Sequence, residues 1–377
     1  MKTSSFPRSR RSLALAASLA LASVFPASLV QAQAAEATPN TRLSSNENAF
    51  GYTPKALERM KAALEEGNYY NNNEVGDMVS IVAAYEGVKE DYILPTPGSG
   101  PVLMLTAFAY AAPGKNVVTT AMGYTQLTRA FSEHGGDIKF APLSESMGYD
   151  FAALSRTIDE NTVIVYICNP NNPTGVLADP AELRKFILSV PQHILVFVDE
   201  AYLELADSGL AANTAGPLVK LRKNMIVTRT FSKGHGMAGL RAGYGMAHPD
   251  VLAKLRRFYT GGPSYLAAIA AQEAIKDKAH LEANRKKYAE VRDYVCKEFD
   301  RLGIKYASPQ GAFIYFRAGM PNTDLVKKLR DAKIFISGSR ESGVPEGAYG
   351  DWARVSIGTK EEMDVFLGEF AKILGKT

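Results

Sequence analysis

Residues 162–168, "TVIVYIC", form a short apolar run rich in β-branched residues, and residues 194–198, "ILVFV", form another. Such runs are typical of buried strands. Between them, "DPAELRKFILSV" begins with an N-cap residue, Asp179, followed by Pro180, and continues with helical apolar spacing. A third run, "MIVT", occupies residues 225–228. Strand, helix and strand in this order predict an α/β fold with a mostly parallel central sheet flanked by helices.

A polar segment follows each predicted strand. "NPNNPTG" follows the first at 169–175, "DEAY" the second at 199–202, and "RTFSKGHGMAGLR" the third at 229–241. Ligands of open parallel sheets bind beyond the carboxyl ends of the strands. The side chains expected to meet in one crevice are Asn172, Asp199, Tyr202, Ser232, Lys233 and Arg241.

The order of these motifs resembles that of the fold-type I pyridoxal-phosphate enzymes, the class I and II aminotransferases. In that family Asn-Pro-Thr-Gly, Asp-x-x-Tyr, Ser-Lys and a downstream Arg follow one another. The resemblance covers nearly the whole chain after the leader and is greatest to histidinol-phosphate aminotransferases. It is carried further by "RLSSNENAFGYTPKAL" (42–57), "GNYYNNNEVGDM" (67–78), "PGKNVVTTAMGY" (113–124) and "ARVSIGTKEEM" (353–363). Ala49 stands where that group usually has proline, and Gly100 where it commonly has an acid.

The resemblance implies pyridoxal 5′-phosphate as cofactor and assigns four residues to its ring. Lys233 would hold the cofactor aldehyde as a Schiff base and move the proton at the substrate α-carbon. Asp199 would keep the pyridine nitrogen protonated. Tyr202 and Asn172 would hydrogen-bond the ring oxygen.

The resemblance also assigns the phosphate and places a second subunit at the site. Ser232, Arg241 and the backbone N–H groups at Ser99 and Gly100 would bind the phosphate, because a helix opens there. Tyr70 would reach the phosphate of a neighbouring subunit, which implies a homodimer.

Three further residues are assigned by the same resemblance. Tyr124 would stack on the cofactor ring, although packing in the core explains an aromatic residue there nearly as well. Arg354 would bind the substrate α-carboxylate through its planar guanidinium. Asn46, in the entry segment, would line the substrate pocket, and the neighbouring Glu47 shares that segment.

The implied reaction moves an amino group from an L-amino acid or an amino-phosphate to a 2-oxo acid. The alternative is a decarboxylase, lyase or racemase, because these reactions use the same Lys, Asp and Arg on the same fold. A binding protein that keeps the fold without turnover is a third hypothesis.

The N-terminal 34 residues have the pattern of an export signal. They combine four basic residues with no acidic one, the apolar run "LALAASLALASVFPASLV" and the small-residue site "AQA" at 32–34. An uncleaved membrane anchor is the alternative, since the run has 18 residues. "SRRSLAL" from Ser9 resembles a twin-arginine signal, which predicts a periplasmic protein exported in its folded state.

Composition excludes several classes of partner. The chain has 43 Lys and Arg against 39 Asp and Glu, and the leader holds four of the basic residues, so the remainder is neutral. This balance gives no indication of nucleic-acid or membrane binding. Two cysteines, Cys168 and Cys296, form neither a metal motif nor a disulfide framework, and Cys168 is expected in the core.

The length of 377 residues exceeds that of the usual single-core domain. We predict a large cofactor-binding domain over 61–262, a small α+β domain over 263–377, and a segment 35–60 that joins the small domain. "YTGGPS" at 259–264 marks the boundary, and long helical patterns follow it. Met363, Phe366, Leu367 and Phe370 have the spacing of an amphipathic C-terminal helix.

Overall fold

The computed structural model describes residues 40–71, 73–339 and 349–376. The predicted export signal, residues 1–34, lies outside the described residues. Among those described, no helix has the length and apolar character needed to cross a membrane.

The described strands form three sheets. Their bounds are β1 Thr41–Arg42, β2 Ile93–Thr96, β3 Asn116–Thr120, β4 Asp137–Ala141, β5 Thr162–Cys168, β6 Leu195–Asp199, β7 Met225–Thr230, β8 Gly243–Ala247, β9 Phe313–Arg317, β10 Ile334–Phe335, β11 Ser337–Gly338 and β12 Trp352–Ser356. The largest sheet has seven strands in the order β2-β8-β7-β6-β5-β3-β4. In that sheet β8 runs in the direction opposite to the other six strands, which are parallel to one another. The α/β prediction with a mostly parallel sheet is therefore confirmed.

The three predicted strands exist, with small differences at their ends. β5 has the predicted bounds, while β6 begins one residue later and includes Asp199. β7 continues to Thr230, two residues beyond the predicted end. These extensions arise because Asp199 pairs with Thr228 across β6 and β7, and Thr230 pairs with Gly243 of β8, so the ladder includes polar residues. Some of the candidate functional residues, such as Asp199, therefore lie within the strands of the sheet.

Helices cover both faces of the central sheet. Their bounds are α1 Pro54–Ala63, α2 Asn73–Glu86, α3 Gly100–Tyr110, α4 Gln126–Glu133, α5 Phe151–Thr157, α6 Pro180–Ser189, α7 Gly209–Asn213, α8 Pro249–Arg256, α9 Tyr265–Lys276, α10 Lys278–Arg301, α11 Asn322–Asp331 and α12 Lys360–Ile373. The predicted crossover helix is α6, and the Asp179 carboxylate caps it by accepting from the N–H groups of Ala181 and Glu182. Alternate residues of β5 and β6 enter separate cores on the two faces of the sheet.

A third apolar core surrounds the small antiparallel sheet β11-β12-β9. The predicted C-terminal helix is α12, whose Met363, Phe366, Leu367 and Phe370 are buried in this core. Thr359 and Glu362 form a capping box that fixes its start. The proposed boundaries of the two domains, 61–262 and 263–377, stay a prediction.

Candidate active site

The carboxyl ends of the parallel strands border a cavity of about 260 Å³. β2, β5, β6 and β7 all end at the same edge of the sheet, and the polar segments after them turn into this space. The residues that line the cavity are Ser45, Asn46, Ser99, Gly100, Tyr124, Gln126, Cys168, Asn172, Asp199, Ala201, Tyr202, Thr230, Ser232, Lys233, Ala238, Arg241 and Arg354. Every predicted site residue except Tyr70 belongs to this set.

Lys233 lies in the turn that follows β7, with its amine inside the cavity. Its Nζ donates to the carbonyl oxygens of Ser45, at 3.0 Å, and Asn46, at 2.9 Å. Burial lowers the pKa of this amine from 10.5 to about 8, and the positive charge of Arg354 contributes to the shift. A substantial fraction of Lys233 is therefore neutral and nucleophilic near neutral pH.

Asp199 ends β6 and is buried at the floor of the cavity. Its Oδ1 accepts from Thr228 Oγ1 at 3.1 Å and from the Ala201 N–H at 3.2 Å. Burial raises the pKa of this carboxyl to about 6, against the opposing effect of these hydrogen bonds and of Lys233. A buried carboxylate with an unfavourable charge is stabilised by a cationic partner, which a protonated pyridine nitrogen supplies.

Tyr202 and two amides form a hydrogen-bonded group on one wall. The Tyr202 hydroxyl accepts from Asn46 Nδ2 at 3.0 Å and lies 3.5 Å from Asn172 Nδ2. Burial raises the pKa of Tyr202, so this hydroxyl stays protonated. Asn46 has a left-handed backbone, φ 52°, and exchanges two hydrogen bonds with Ser356. The entry segment is therefore fixed through Asn46 to the segment after β6 and to β12 of the small sheet.

Arg354 reaches the cavity from β12 of the small sheet. Its guanidinium donates to Asn172 Oδ1 at 2.7 Å, to the Ser44 carbonyl at 2.6 Å and to Ser337 Oγ at 3.1 Å. The guanidinium carbon also lies 5.5 Å from the centre of the Phe313 ring. These contacts fix the plane of the guanidinium, and lysine could not reproduce this planar geometry.

Arg241, Ser232 and a tight turn form the other end of the cavity. Arg241 has φ 63° and donates to Ser232 Oγ at 3.1 Å and to the Pro97 carbonyl at 3.2 Å. Gly98 has φ +82°, and a Cβ at that position would lie 2.4 Å from Arg241 Nη2. The turn thus admits a guanidinium only because residue 98 is glycine. A cation, a hydroxyl and the start of α3 are the donors that a phosphate needs, so these residues fit pyridoxal 5′-phosphate.

Two predicted aromatic residues lie differently with respect to the cavity. Tyr124 lines it and is 38% exposed, so it is not the core residue of the alternative explanation. Tyr70 is 99% exposed and lies outside the cavity of its own chain. His235, two residues after Lys233, is buried against Phe231, and burial lowers its pKa to about 4.

Sequence reasoning missed several residues of the site. The prediction places Thr228 at the end of a strand and Thr230 in the segment after it, and assigns neither to the site. In the structure Thr228 donates a hydrogen bond to Asp199, and Thr230 lines the cavity. Their alternation along β7 was the available signal, since residues two apart share a face of the sheet. Gln126 gave no signal at all. Both cysteines are free thiols, and within the described part of the chain no cluster of His, Cys, Asp and Glu could hold a metal.

The fold and the cavity define a protein that holds pyridoxal phosphate at the edge of a parallel sheet. The sequence model of the family described as aminotransferase class I and II matches residues 38–370. The histidinol-phosphate aminotransferase of Moorella thermoacetica is 31% identical over 334 residues, which cover 88% of this chain and 85% of that protein. The histidinol-phosphate aminotransferase of Geobacillus thermodenitrificans is 33% identical over 333 residues, 86% of this chain and 87% of that protein.

A solved structure shows the same fold. The crystal structure of histidinol-phosphate aminotransferase from Sinorhizobium meliloti, in complex with pyridoxal-5′-phosphate, matches with a TM-score of 0.80 at 24% identity. The match covers 89% of this chain and 90% of that one. The chain belongs to the class I and II aminotransferases and is a pyridoxal-phosphate-dependent enzyme of that family.

Proposed function

We propose that this aminotransferase takes the amino group of an L-amino acid or an amino-phosphate, passes it to a 2-oxo acid, and works outside the cytoplasm as a homodimer. The observation that carries the reaction is the convergence of Lys233, Asp199 and Arg354 on one cavity. These three side chains come from two different sheets, so the convergence is a property of the whole fold.

Pyridoxal phosphate, when bound, supplies an aldehyde that captures the amino group and a ring that withdraws electrons from the substrate. Lys233 would hold the aldehyde of the cofactor, and its amine would move the proton at the substrate α-carbon. Its pKa of about 8 suits both tasks, because the neutral amine is the nucleophile and the base. Asp199 holds the proton on the ring nitrogen.

Arg354 binds the α-carboxylate of the substrate. In the structure its guanidinium contacts the carbonyl of Ser44 and the amide oxygen of Asn172, which are neutral acceptors. A carboxylate binds the same planar donors more strongly, because both partners are then charged. The amino acid is thereby oriented with its α-carbon toward Lys233.

The export proposal depends on the leader, which lies outside the described residues. Its support is the basic start, the arginine pair at Arg10 and Arg11, the apolar run and the small-residue site. The test is fractionation of cells that produce the full chain, with Arg10 and Arg11 both changed to Lys as the comparison. Periplasmic recovery of the original chain alone is the expected result, and cytoplasmic recovery of both would refute export.

The homodimer proposal depends on Tyr70. A tyrosine that is 99% exposed, beside Tyr69 at 67%, is unusual on the surface of a single chain. We place Tyr70 in the cavity of the partner subunit, near the phosphate end. Light scattering gives the mass in solution. Tyr70→Phe and Lys233→Ala chains mixed in equal amounts should form hybrid dimers, and each hybrid dimer should have one impaired active site. A protein that is purely monomeric would refute the homodimer proposal.

The reaction is tested by absorption spectroscopy of the protein loaded with pyridoxal phosphate. Amino acids and amino-phosphates are added one at a time without any 2-oxo acid. A donor should convert the lysine-bound cofactor to its amine form once per subunit, and a 2-oxo acid should restore the original spectrum. Product formation without this conversion would mean that another bond breaks, as in a decarboxylase or a racemase.

The matched control for this experiment is Lys233→Ala. The variant should lose the absorption of the lysine-bound cofactor while its folding, followed by circular dichroism, is unchanged. An unchanged spectrum would show that Lys233 does not bind the cofactor.

A further inference from the structure

Two glycines of one turn each make room for a side chain from another element. At Gly98 the missing Cβ leaves space for the Arg241 guanidinium, as described above. At Gly100 a Cβ would lie 2.9 Å from both Nε2 and Oε1 of Gln126. The first residue of α3 is therefore in direct contact with a primary amide that belongs to α4. The turn has a guanidinium against one glycine and an amide against the other.

Tyr124 orients the Gln126 amide. The Tyr124 hydroxyl donates to Gln126 Oε1 at 3.1 Å. Both side chains line the cavity. Because Oε1 is the acceptor in this contact, the Nε2 group is the end of the amide that keeps its donors for another partner. None of the described residues accepts a hydrogen bond from it.

The start of α3 needs an additional donor. Residue 101 is proline, which has no N–H, and the N–H of Val102 already donates to the Ser99 carbonyl at 3.0 Å. Only the backbone N–H groups of Ser99 and Gly100 remain at this end of the helix. A phosphate has three terminal oxygens, each of which accepts more than one hydrogen bond. It can therefore take a further donor beside Arg241, Ser232, the two backbone groups and the proposed Tyr70 of the partner subunit.

We infer that Gln126 is a cofactor-binding residue, whose amide donates a hydrogen bond to the phosphate of pyridoxal phosphate while its oxygen holds Tyr124 beside the ring. Glycine at position 100 leaves the amide in this place, because a Cβ there would displace it. This inference rests on the proposed placing of the phosphate at Arg241 and Ser232. It extends the site to a second helix and couples the phosphate to the stacking aromatic.

The test compares binding of pyridoxal phosphate with binding of pyridoxal, which lacks the phosphate. Both compounds bind Lys233 covalently, so the difference between their dissociation constants isolates the phosphate contacts. The constants are measured by absorption titration of the protein freed of cofactor. The variants are Gln126→Ala, which removes the amide, and Gln126→Glu, which has the same shape but replaces the donor by a carboxylate.

We expect Gln126→Ala to weaken pyridoxal phosphate about tenfold, the usual loss for a hydrogen bond to a charged group. Gln126→Glu should weaken it further, through repulsion, and pyridoxal should change by less than about twofold in Gln126→Ala. Gln192→Glu is the control, since this glutamine is exposed and undergoes the same chemical change away from the cavity. Equal losses for the two compounds, or no loss for either, would overturn the inference.

A double-mutant cycle supplies an independent measurement. Gly100→Ala should weaken pyridoxal phosphate in the wild-type background, because its Cβ occupies the place of the amide. The same change should have little further effect beside Gln126→Ala, where the contact no longer exists. Additive losses would mean that Gly100 and Gln126 act separately. A wild-type protein that binds pyridoxal phosphate but fails to transfer amino groups would refute the proposed reaction and leave this inference standing.

Discussion

The pKa of Lys233 gives the most direct quantitative prediction. Burial, with Arg354 as the second contribution, lowers it from 10.5 to about 8. At pH 8 about half of the amine is neutral, whereas a lysine with its ordinary pKa is neutral in about one molecule in 300. At pH 8 the cofactor-free protein should therefore react with pyridoxal phosphate about 150-fold faster than a lysine with the ordinary pKa does.

The assay is the rate of the absorbance change on mixing cofactor-free protein with pyridoxal phosphate between pH 6 and pH 10. The sign is fixed by the charge of the amine: the protonated form dominates below the pKa and is inert, so the rate rises with pH and becomes level above about 8. Nα-acetyl-lysine, measured in parallel, accounts for the titration of the cofactor itself. Its rate should continue to rise to pH 10.

Arg354 provides the second arm of this experiment. Since its positive charge lowers the pKa of Lys233, Arg354→Gln should move the midpoint of the protein's rate profile to higher pH. Arg317→Gln is the control, because this arginine is exposed on neighbouring β9 and pairs with Asp351. A midpoint near 10 in the wild-type protein would refute the reasoning, and so would an Arg354→Gln profile identical to that of the control.

Three other substitutions have defined outcomes. Asp199→Asn keeps an oxygen for its two hydrogen-bond donors but loses the charge, so the protein should stay folded while kcat falls by about 100-fold or more, measured with an amino donor that the absorption experiment identifies. Arg354→Lys keeps a cation but loses the planar donors, so KM for the amino donor should rise at least about tenfold with a smaller change in kcat. Gly98→Ala should weaken the binding of pyridoxal phosphate by displacing Arg241. Gly114 has a similar φ of +74° and open space around it, so Gly114→Ala should only lower the thermal midpoint. Equal affinities for pyridoxal phosphate in these two variants would show that Gly98 does not position Arg241 for the phosphate.

Much of this architecture could be predicted from the sequence because its signals are local. Apolar runs predicted β5, β6 and β7, and the polar segment after each run contributes side chains to the cavity. The apolar pattern is sufficient to predict these positions because parallel strands have their carboxyl ends at the same edge of the sheet. The helix α6 followed from a capping aspartate and a proline, which act within one turn.

The remainder of the site depends on contacts between distant segments. Gly98 and Arg241 are adjacent only because β2 joins the sheet beside β8, an antiparallel strand that no local signal places there. Gln126 and Gly100 meet through the packing of α4 on α3. No pattern along the chain reports such contacts, because each residue alone is compatible with an ordinary turn or an exposed helix start.

The sequence predicts the residues around the cavity that would act on the cofactor, but it does not predict the choice of substrate. Lys233 and Asn172 follow strands of the central sheet and Asp199 ends one, and these are the side chains that we propose to set the chemistry of the cofactor. Arg354 belongs to the small sheet and contacts Asn172 at 2.7 Å, so the proposed α-carboxylate site lies at a fixed distance from the proposed cofactor site, whatever the rest of the substrate is. The reaction is thus determined by elements whose register is fixed by the buried sheet. Choice among donors falls to loops and to the proposed partner subunit, where no such register applies. Relatives with this cavity can therefore share the reaction while differing in substrate.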